Sequence, residues 1–248
     1  MGKTAVAARA SCAMLKIHSA FVAKPPENPY LLTMYRPPEP PSEPIVPRET
    51  PTGIDGFRLW PAALSAPAQA NLLQEVLAAE RLSPFYHPIT PGGRPFSVRM
   101  TNMGPLGWVS DRAGYRYQPR HPSTDEAWPA IPQSLLDLWF QLTGWPSAPD
   151  ACLINHYQDT AKMGLHQDRD EQDLTAPVLS LSLGDTAIFR IASPESGRST
   201  SLKLTSGDIC ALTGPARLAR HGIDRILPGS SRLIPFGGRI NLTLRKVV

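Results

Sequence analysis

The sequence predicts an α+β fold that is mainly β: an antiparallel jelly roll, or double-stranded β-helix, with helices packed outside it on the N-terminal side. Three observations lead there. Beyond residue 150 the chain breaks into short apolar runs separated by turn signals such as Gly184-Asp185 and Gly207-Asp208. Helical spacing falls in two stretches before that point. In the last run, Arg239-Ile240-Asn241-Leu242-Thr243-Leu244-Arg245, polar and apolar residues alternate strictly, the mark of a strand with one face in a core. Runs of short strands with helices gathered at the N-terminal side suggest such a double-sheet roll.

Taken in order, residues 1–52 come first and read as an extension to a folded domain over 53–248. Prolines crowd from Pro25 to Pro51, including Pro37-Pro38 and Pro40-Pro41, and such composition favours extended, solvated chain that builds no core. No acidic residue precedes Glu27, whereas Lys3, Arg9, Lys16 and Lys24 are scattered among Ala and Ser. That pattern fits a transit peptide, a start codon assigned too early and a plain disordered tail equally well. Phe57, Leu59 and Trp60 then read as a short strand. A helix is expected over 65–82, with Ser65 as N-cap, Pro67 tolerated in the first turn, and Leu72, Leu73, Val76 and Leu77 as its apolar stripe. A second helix is expected over 132–142, with Leu135, Leu138, Trp139 and Leu142 at helical spacing and Gly144 as its stop. Strands are expected at 152–157, 177–183, 186–191, 201–204, 209–212 and 239–247.

A chain of 248 residues holds one sizeable core, and its +4 charge and pI near 9.1 permit nucleic-acid binding without arguing for it. Cys12, Cys152 and Cys210 are odd in number and widely spaced, with no CxxC, which favours a reducing compartment over a disulfide framework. No apolar run is long enough to span a bilayer. A cytoplasmic monomer without membrane contact is therefore expected.

The chemistry is concentrated in the second half. In an extended His166-Gln167-Asp168 segment, His166 and Asp168 project to the same side and Gln167 to the other. Together with His221 they form two imidazoles and one carboxylate, which can occupy one face of an octahedral metal and leave the other positions open. Zinc takes the same ligands, but a neighbouring anion-binding pair of arginines favours redox iron that also holds a cosubstrate. Arg239 and Arg245 share a parity opposite to Ile240, Leu242 and Leu244. If that face lines the metal pocket, the two guanidiniums need an anionic partner, because buried charges persist only when paired. Iron beside a small dicarboxylate is the reading.

Four segments together carry a resemblance: Ala151-Cys152-Leu153-Ile154-Asn155-His156-Tyr157, Leu165-His166-Gln167-Asp168-Arg169-Asp170-Glu171, Arg220-His221-Gly222-Ile223 and the Arg239 to Arg245 run. They resemble the bacterial AlkB family of Fe(II)/2-oxoglutarate-dependent nucleic-acid demethylases, over the chain from about Gly53 onward. The resemblance implies Fe(II) on His166, Asp168 and His221, with O2 and 2-oxoglutarate as cosubstrates. It implies Arg239 on the distal carboxylate of 2-oxoglutarate, Arg245 near the metal-chelating end, and Asn155, Tyr157 and Asn241 as hydrogen-bonding neighbours, with Ser180 as a further hydroxyl. His156 points away by parity.

The stretch from Thr101 to Trp108, followed by Gly114-Tyr115-Arg116-Tyr117, is similar to the family's nucleotide-recognition lid. A methylated, often cationic base must leave its stack to reach the metal, and aromatic faces offer it a resting place. The resemblance implies Trp108, Tyr115, Asp170, Met100 and Thr90 as the base pocket. Arg94, Arg99, Arg112, Arg116 and Arg120, interleaved with aromatics, are candidates to track a phosphate backbone. The expected activity is oxidative demethylation of bases of the 1-methyladenine and 3-methylcytosine type, in single-stranded or damaged DNA. RNA and other hydroxylation substrates are the alternatives within the chemistry, and a non-catalytic nucleic-acid-binding module is the alternative outside it.

Overall fold

The computed structural model describes residues 47–158 and 160–248. Within them the chain forms β1 (Phe57–Trp60), α1 (Ala66–Leu82), β2 (Arg99–Met103), β3 (Gly107–Asp111), β4 (Gly114–Gln118), α2 (Gln133–Thr143), β5 (Ala151–Tyr157), β6 (Met163–His166), β7 (Val178–Gly184), β8 (Thr186–Ala192), β9 (Ser199–Leu204), β10 (Ile209–Leu212), a short 3-10 turn (Gly214–Ala216), β11 (His221–Leu227) and β12 (Arg239–Arg245). A six-stranded sheet runs in the order β1-β10-β7-β12-β5-β2, a four-stranded sheet in the order β6-β11-β8-β9, and β3 and β4 pair alone. All named pairings are antiparallel. This is the expected jelly roll.

Strand parity divides the large sheet into two faces. Leu179, Leu181, Leu183, Ile209, Ala211, Cys152, Ile154, Ile240, Leu242 and Leu244 point outward and meet Leu72, Leu73 and Val76 of α1 and Leu135, Trp139 and Leu142 of α2. The opposite parity, with Leu153, Tyr157, Val178, Cys210 and Leu212, points inward and meets Ala187, Phe189, Ile191 and Ile223 of the small sheet. The helices thus cover one face of the large sheet, and the other face is free to line a cavity.

Local signals explain the helix limits. The Ser65 hydroxyl accepts from the Ala68 amide at 3.4 Å and starts α1. Gly144, at φ 66°, closes α2 in the left-handed region.

Several expectations need correction. The last strand stops at Arg245, because the chain past it bends to Asp150, whose carboxylate accepts from the Val247 and Val248 amides at 2.7 and 2.9 Å. Strands β2, β3, β4, β6 and β11 stand where the sequence pattern predicts no element. Ahead of the expected boundary at 52/53, the Thr50 amide bonds to the Leu59 carbonyl at 2.8 Å, and Glu49 pairs with Arg58 at 2.7 Å. Residues 1–46, which hold most of the expected extension, lie outside the described residues.

Leu181 sits fully buried mid-sheet under the helices. Leu181→Ala should lower unfolding free energy by about 2–5 kcal/mol, as core leucine truncations do. Ser201→Ala, on the exposed edge strand β9, should change it by less than about 0.5 kcal/mol. Chemical denaturation monitored by circular dichroism compares the two.

Candidate metal centre and cosubstrate pocket

β6 ends at His166, β11 begins at His221, and the two residues face each other in register. This pairing brings together imidazoles that are far apart in the chain. Their Nε2 atoms lie 3.6 and 3.8 Å from the two carboxylate oxygens of Asp168, and one ligand atom from each of the three residues falls within 4.8 Å of the others. Each Nδ1 meets the carbonyl two residues earlier, His166 with Gly164 and His221 with Ala219, both at 2.9 Å. A carbonyl only accepts, so each Nδ1 carries the hydrogen, and in the neutral ring each Nε2 presents its lone pair toward the common point. Gly222 permits the approach, since a Cβ there would lie 2.5 Å from the Met163 carbonyl oxygen.

Asp168 is 7% exposed. Burial opposes its charge, but the Arg245 guanidinium and the two imidazoles outweigh it and hold the carboxyl well below the usual range. Burial pushes His221 below the ordinary histidine value despite Asp168. For His166 burial pulls the same way, but the hydrogen bond and charge of Asp168 prevail and raise it. Oδ2 of Asp168 has no hydrogen-bond donor. An ionised carboxylate with a bare buried oxygen between two Nε2 atoms, from which a metal ion would displace any proton, fits a divalent cation.

Behind the triad, β12 turns Arg239, Asn241, Thr243 and Arg245 into a cavity of about 400 Å³, together with Asn155 and Tyr157 of β5 and Ser180 of β7. Arg239 is 1% exposed; Nη2 donates to the Ser182 hydroxyl at 2.8 Å and Nη1 to the Leu204 carbonyl at 3.4 Å, while Nε has no partner. Among the described residues no carboxylate pairs with it. Burial lowers its pKa for lack of a counter-charge, which makes it a strong receptor for a carboxylate of correct length. Asn241 donates to the Ser180 hydroxyl and the Leu181 carbonyl, both at 2.8 Å, and the Asn155 side-chain oxygen is buried without a donor. Burial raises the Tyr157 phenol to about 12, so it stays protonated as a donor. Arg245 reaches Asp168 at 2.9 Å and Glu171 at 3.5 Å, linking the cosubstrate wall to the metal ligands.

The mouth is formed by the β3–β4 hairpin and the 166–171 segment. Trp108 and Tyr115 stack at 5.6 Å with 18° between their planes, Phe96 meets the Trp108 ring edge-on, and the indole Nε1 donates to Asp170 at 2.8 Å. Met100 contributes to the same wall. Thr90 is not brought to the cavity: its hydroxyl accepts from the Arg94 amide and caps a turn. Thr101 to Met103 belong to edge strand β2, so only residues 107–118 form the hairpin. Of the five arginines, three are engaged internally: Arg99 with His156 and Gln158, Arg116 with Asp111, Arg120 with the Asp125 carbonyl. Arg94 and Arg112 remain exposed. His156 faces away from the cavity, packed between Phe85 and Phe236.

Sequence reasoning assigns no role to Glu171, Arg217 or Ser182, and it places Tyr117 in the lid without its bond to Glu171. Glu171 and Arg217 are both buried, and their only signal is proximity in sequence to Asp168 and His221. An acid in an Asp-rich loop and an arginine in a Gly-Pro turn otherwise look like surface residues.

A jelly roll whose inner face offers two imidazoles, a carboxylate and an uncompensated buried guanidinium defines an Fe(II)/2-oxoglutarate-dependent dioxygenase. Residues 56–245 match the 2OG-Fe(II) oxygenase superfamily. The chain is 57% identical over 196 residues to the alpha-ketoglutarate-dependent dioxygenase AlkB homolog of Caulobacter vibrioides, covering 79% of this chain and 89% of that protein. It is 43% identical over 186 residues to alpha-ketoglutarate-dependent dioxygenase AlkB of Escherichia coli, covering 72% and 85%. The solved structure of OsALKBH1 superposes with a TM-score of 0.69 at 27% identity, covering 80% of this chain and all of that one. The chain belongs to the AlkB family. No helix among the described residues is long and apolar enough to cross a membrane.

Asp168→Ala should weaken Fe(II) binding, measured by anaerobic calorimetric titration, by more than the roughly 10- to 100-fold that loss of an outer-shell partner costs. Circular dichroism should stay near that of the parent, because Arg245 keeps Glu171 as a counter-charge. Parental iron affinity in this variant would contradict the ligand assignment.

Proposed function

We propose that this dioxygenase oxidatively demethylates N-alkylated bases of the 1-methyladenine and 3-methylcytosine type in DNA, a direct reversal of damage that releases formaldehyde. What carries this reading is a stacked aromatic pair, Trp108 and Tyr115, beside the Asp170 carboxylate at the mouth of the cavity that holds the triad. A base turned out of its stack finds planar faces there, and a cationic methylated ring finds a negative charge. The AlkB kinship and the exposed arginines 94 and 112 support a nucleic-acid substrate. The stack accepts any nucleobase, and single strands present one at least cost.

In the proposed roles, His166, Asp168 and His221 hold Fe(II), Arg239 receives the distal carboxylate of 2-oxoglutarate, and Asn155, Tyr157 and Asn241 orient it. With O2, the bound group supplies oxidation of a methyl C–H bond coupled to conversion of 2-oxoglutarate to succinate and CO2. The chain itself orients and encloses. The paired sheets bury Asp168, Arg245 holds it ionised, and Trp108 and Tyr115 set the height of the base over the metal. The hydroxylated methyl group then leaves as formaldehyde, a step that calls for no strong general base from the protein.

Succinate formation with iron and ascorbate should rise on adding a methylated single-stranded DNA oligonucleotide, and restored base should appear in step. Methylated RNA and a methylated peptide complete the comparison: a larger response to RNA would move the substrate class, and no response to either nucleic acid would refute the proposal. Arg239→Ala should raise the 2-oxoglutarate KM by about 10- to 150-fold, the scale of a lost hydrogen bond between charged groups.

A further inference from the structure

Glu171 lies outside the triad and outside the cosubstrate wall, yet it is a deeply enclosed carboxylate beside them, its side chain 1% exposed. Its two oxygens are held from three directions. Oε1 accepts from the Tyr117 hydroxyl at 2.5 Å and lies 3.5 Å from Nε of Arg245, an ion pair without a hydrogen bond; Oε2 accepts from Nη2 of Arg217 at 3.1 Å. Arg217, itself 3% exposed, commits its other donors to main chain: Nη1 to the Asp168 carbonyl and Nε to the Ala176 carbonyl, both at 2.6 Å. Arg245 turns its other end to the Asp168 carboxylate at 2.9 Å. Glu171 therefore reaches Asp168 twice, through Arg217 to its backbone and through Arg245 to its side chain.

Tyr117 arrives from another part of the molecule. It stands on β4 directly across from Trp108 on β3, so both rings project from the same face of the hairpin. Trp108 takes hold of Asp170 and Tyr117 of Glu171, two consecutive residues of the segment that carries Asp168. The two grips differ. Asp170 is exposed, and among the described residues its carboxylate has no partner deeper in the protein, so the indole bond ends there. The phenol bond continues inward through a buried carboxylate into two buried guanidiniums.

We propose that Glu171 is a positioning residue that couples the β3–β4 hairpin to Asp168, so that seating the hairpin over a substrate and fixing the metal-binding carboxylate are one event. When the hairpin lifts, Tyr117 leaves Glu171, and a buried carboxylate that has lost a donor draws more on Arg217 and Arg245, the groups that hold Asp168. When the hairpin seats, the load on both guanidiniums is restored. The coupling rests on the proposed function for its purpose, since only a substrate that enters beneath the hairpin gives it a signal to pass.

The test begins without substrate. Tyr117→Phe removes one hydroxyl and keeps the ring. Amide hydrogen exchange should accelerate in residues 107–118 and, by a similar factor, in 166–171, roughly tenfold for loss of one hydrogen bond to a charged group. Faster exchange in the hairpin alone, or in neither segment, overturns the coupling. Glu171→Gln, which keeps an acceptor for the phenol but leaves the two guanidiniums without their shared counter-charge, should loosen the same two segments. Its effect combined with Tyr117→Phe should fall short of the sum; additive effects overturn the proposal, and if this variant does not fold the Tyr117→Phe comparison decides alone. With methylated oligonucleotide, Tyr117→Phe should form more succinate per base restored than the parent, because a loosened hairpin no longer ties cosubstrate turnover to a seated base. An unchanged ratio overturns the functional claim. If the parent restores no methylated base in any nucleic acid, the proposed function falls, while the exchange data still decide the coupling.

Discussion

The arrangement depends on a charge balance maintained away from water. Around the cavity, among the described residues, the buried guanidiniums of Arg217, Arg239 and Arg245 face the buried carboxylates of Asp168 and Glu171. Two of the arginines are matched: Arg217 to Glu171, and Arg245 to Asp168 and Glu171 together. The nearby acids Asp185 and Asp208 are taken up by backbone amides, Asp185 by those of Gly229, Ser231 and Gly238 and Asp208 by those of Ala62 and Thr205, so neither pairs with Arg239. An unmatched buried cation is costly, and a bound anion offsets that cost. The surplus charge thus states the chemistry of the cosubstrate, an anion long enough to reach from Arg239 toward the triad.

That balance needs a wall that keeps its shape, and the helices provide it. By covering the outward parity of β5, β7, β10 and β12, α1 and α2 leave the inward parity no alternative register, since a slip of one residue would drive Arg239 and Arg245 under Trp139 and Leu135. The hydrophobic effect on one face of the sheet therefore pins the polar groups on the other. The small sheet bears a lighter duty: it closes the opposite side of the roll through Phe189, Ile191 and Ile223 and positions His221 at its end.

How much of this was legible in the sequence follows from the same physics. β12 was readable because one face is apolar throughout and the other polar throughout. The triad was readable because its residue types are scarce and its order along the chain informative. β11 was not, because a register shift between Ile223 and Arg225 places Asp224 out of step and breaks the alternation. β2 was not, because Thr101 and Asn102 are polar yet fully buried, satisfied by Ser83 and by the backbone of Trp108. Arg99, Arg116 and Arg120 look like a phosphate track in one dimension; in three they are bound to partners in the protein. A sequence lists charges without stating which are already neutralised, and that is why Glu171 and Arg217 stayed silent while surface arginines drew notice.

The division of labour between sheet and hairpin has a dynamic consequence. The wall that holds the cosubstrate is braced by two hydrophobic clusters, and β3 is tied to the body of the protein through Asn102 and Ile89, whereas β4 buries no residue, pairs as a strand with β3 and reaches the 166–171 segment through the Tyr117 phenol. Elements with few buried apolar contacts open at lower free-energy cost than core strands. A base extruded from a strand needs such an element, since it must enter a site that afterwards excludes water. Iron and 2-oxoglutarate need the opposite, a site whose geometry survives each opening. Placing the metal carboxylate on a segment that touches both parts lets the fold satisfy both demands, with the rigid sheet setting where oxidation occurs and the hairpin setting when.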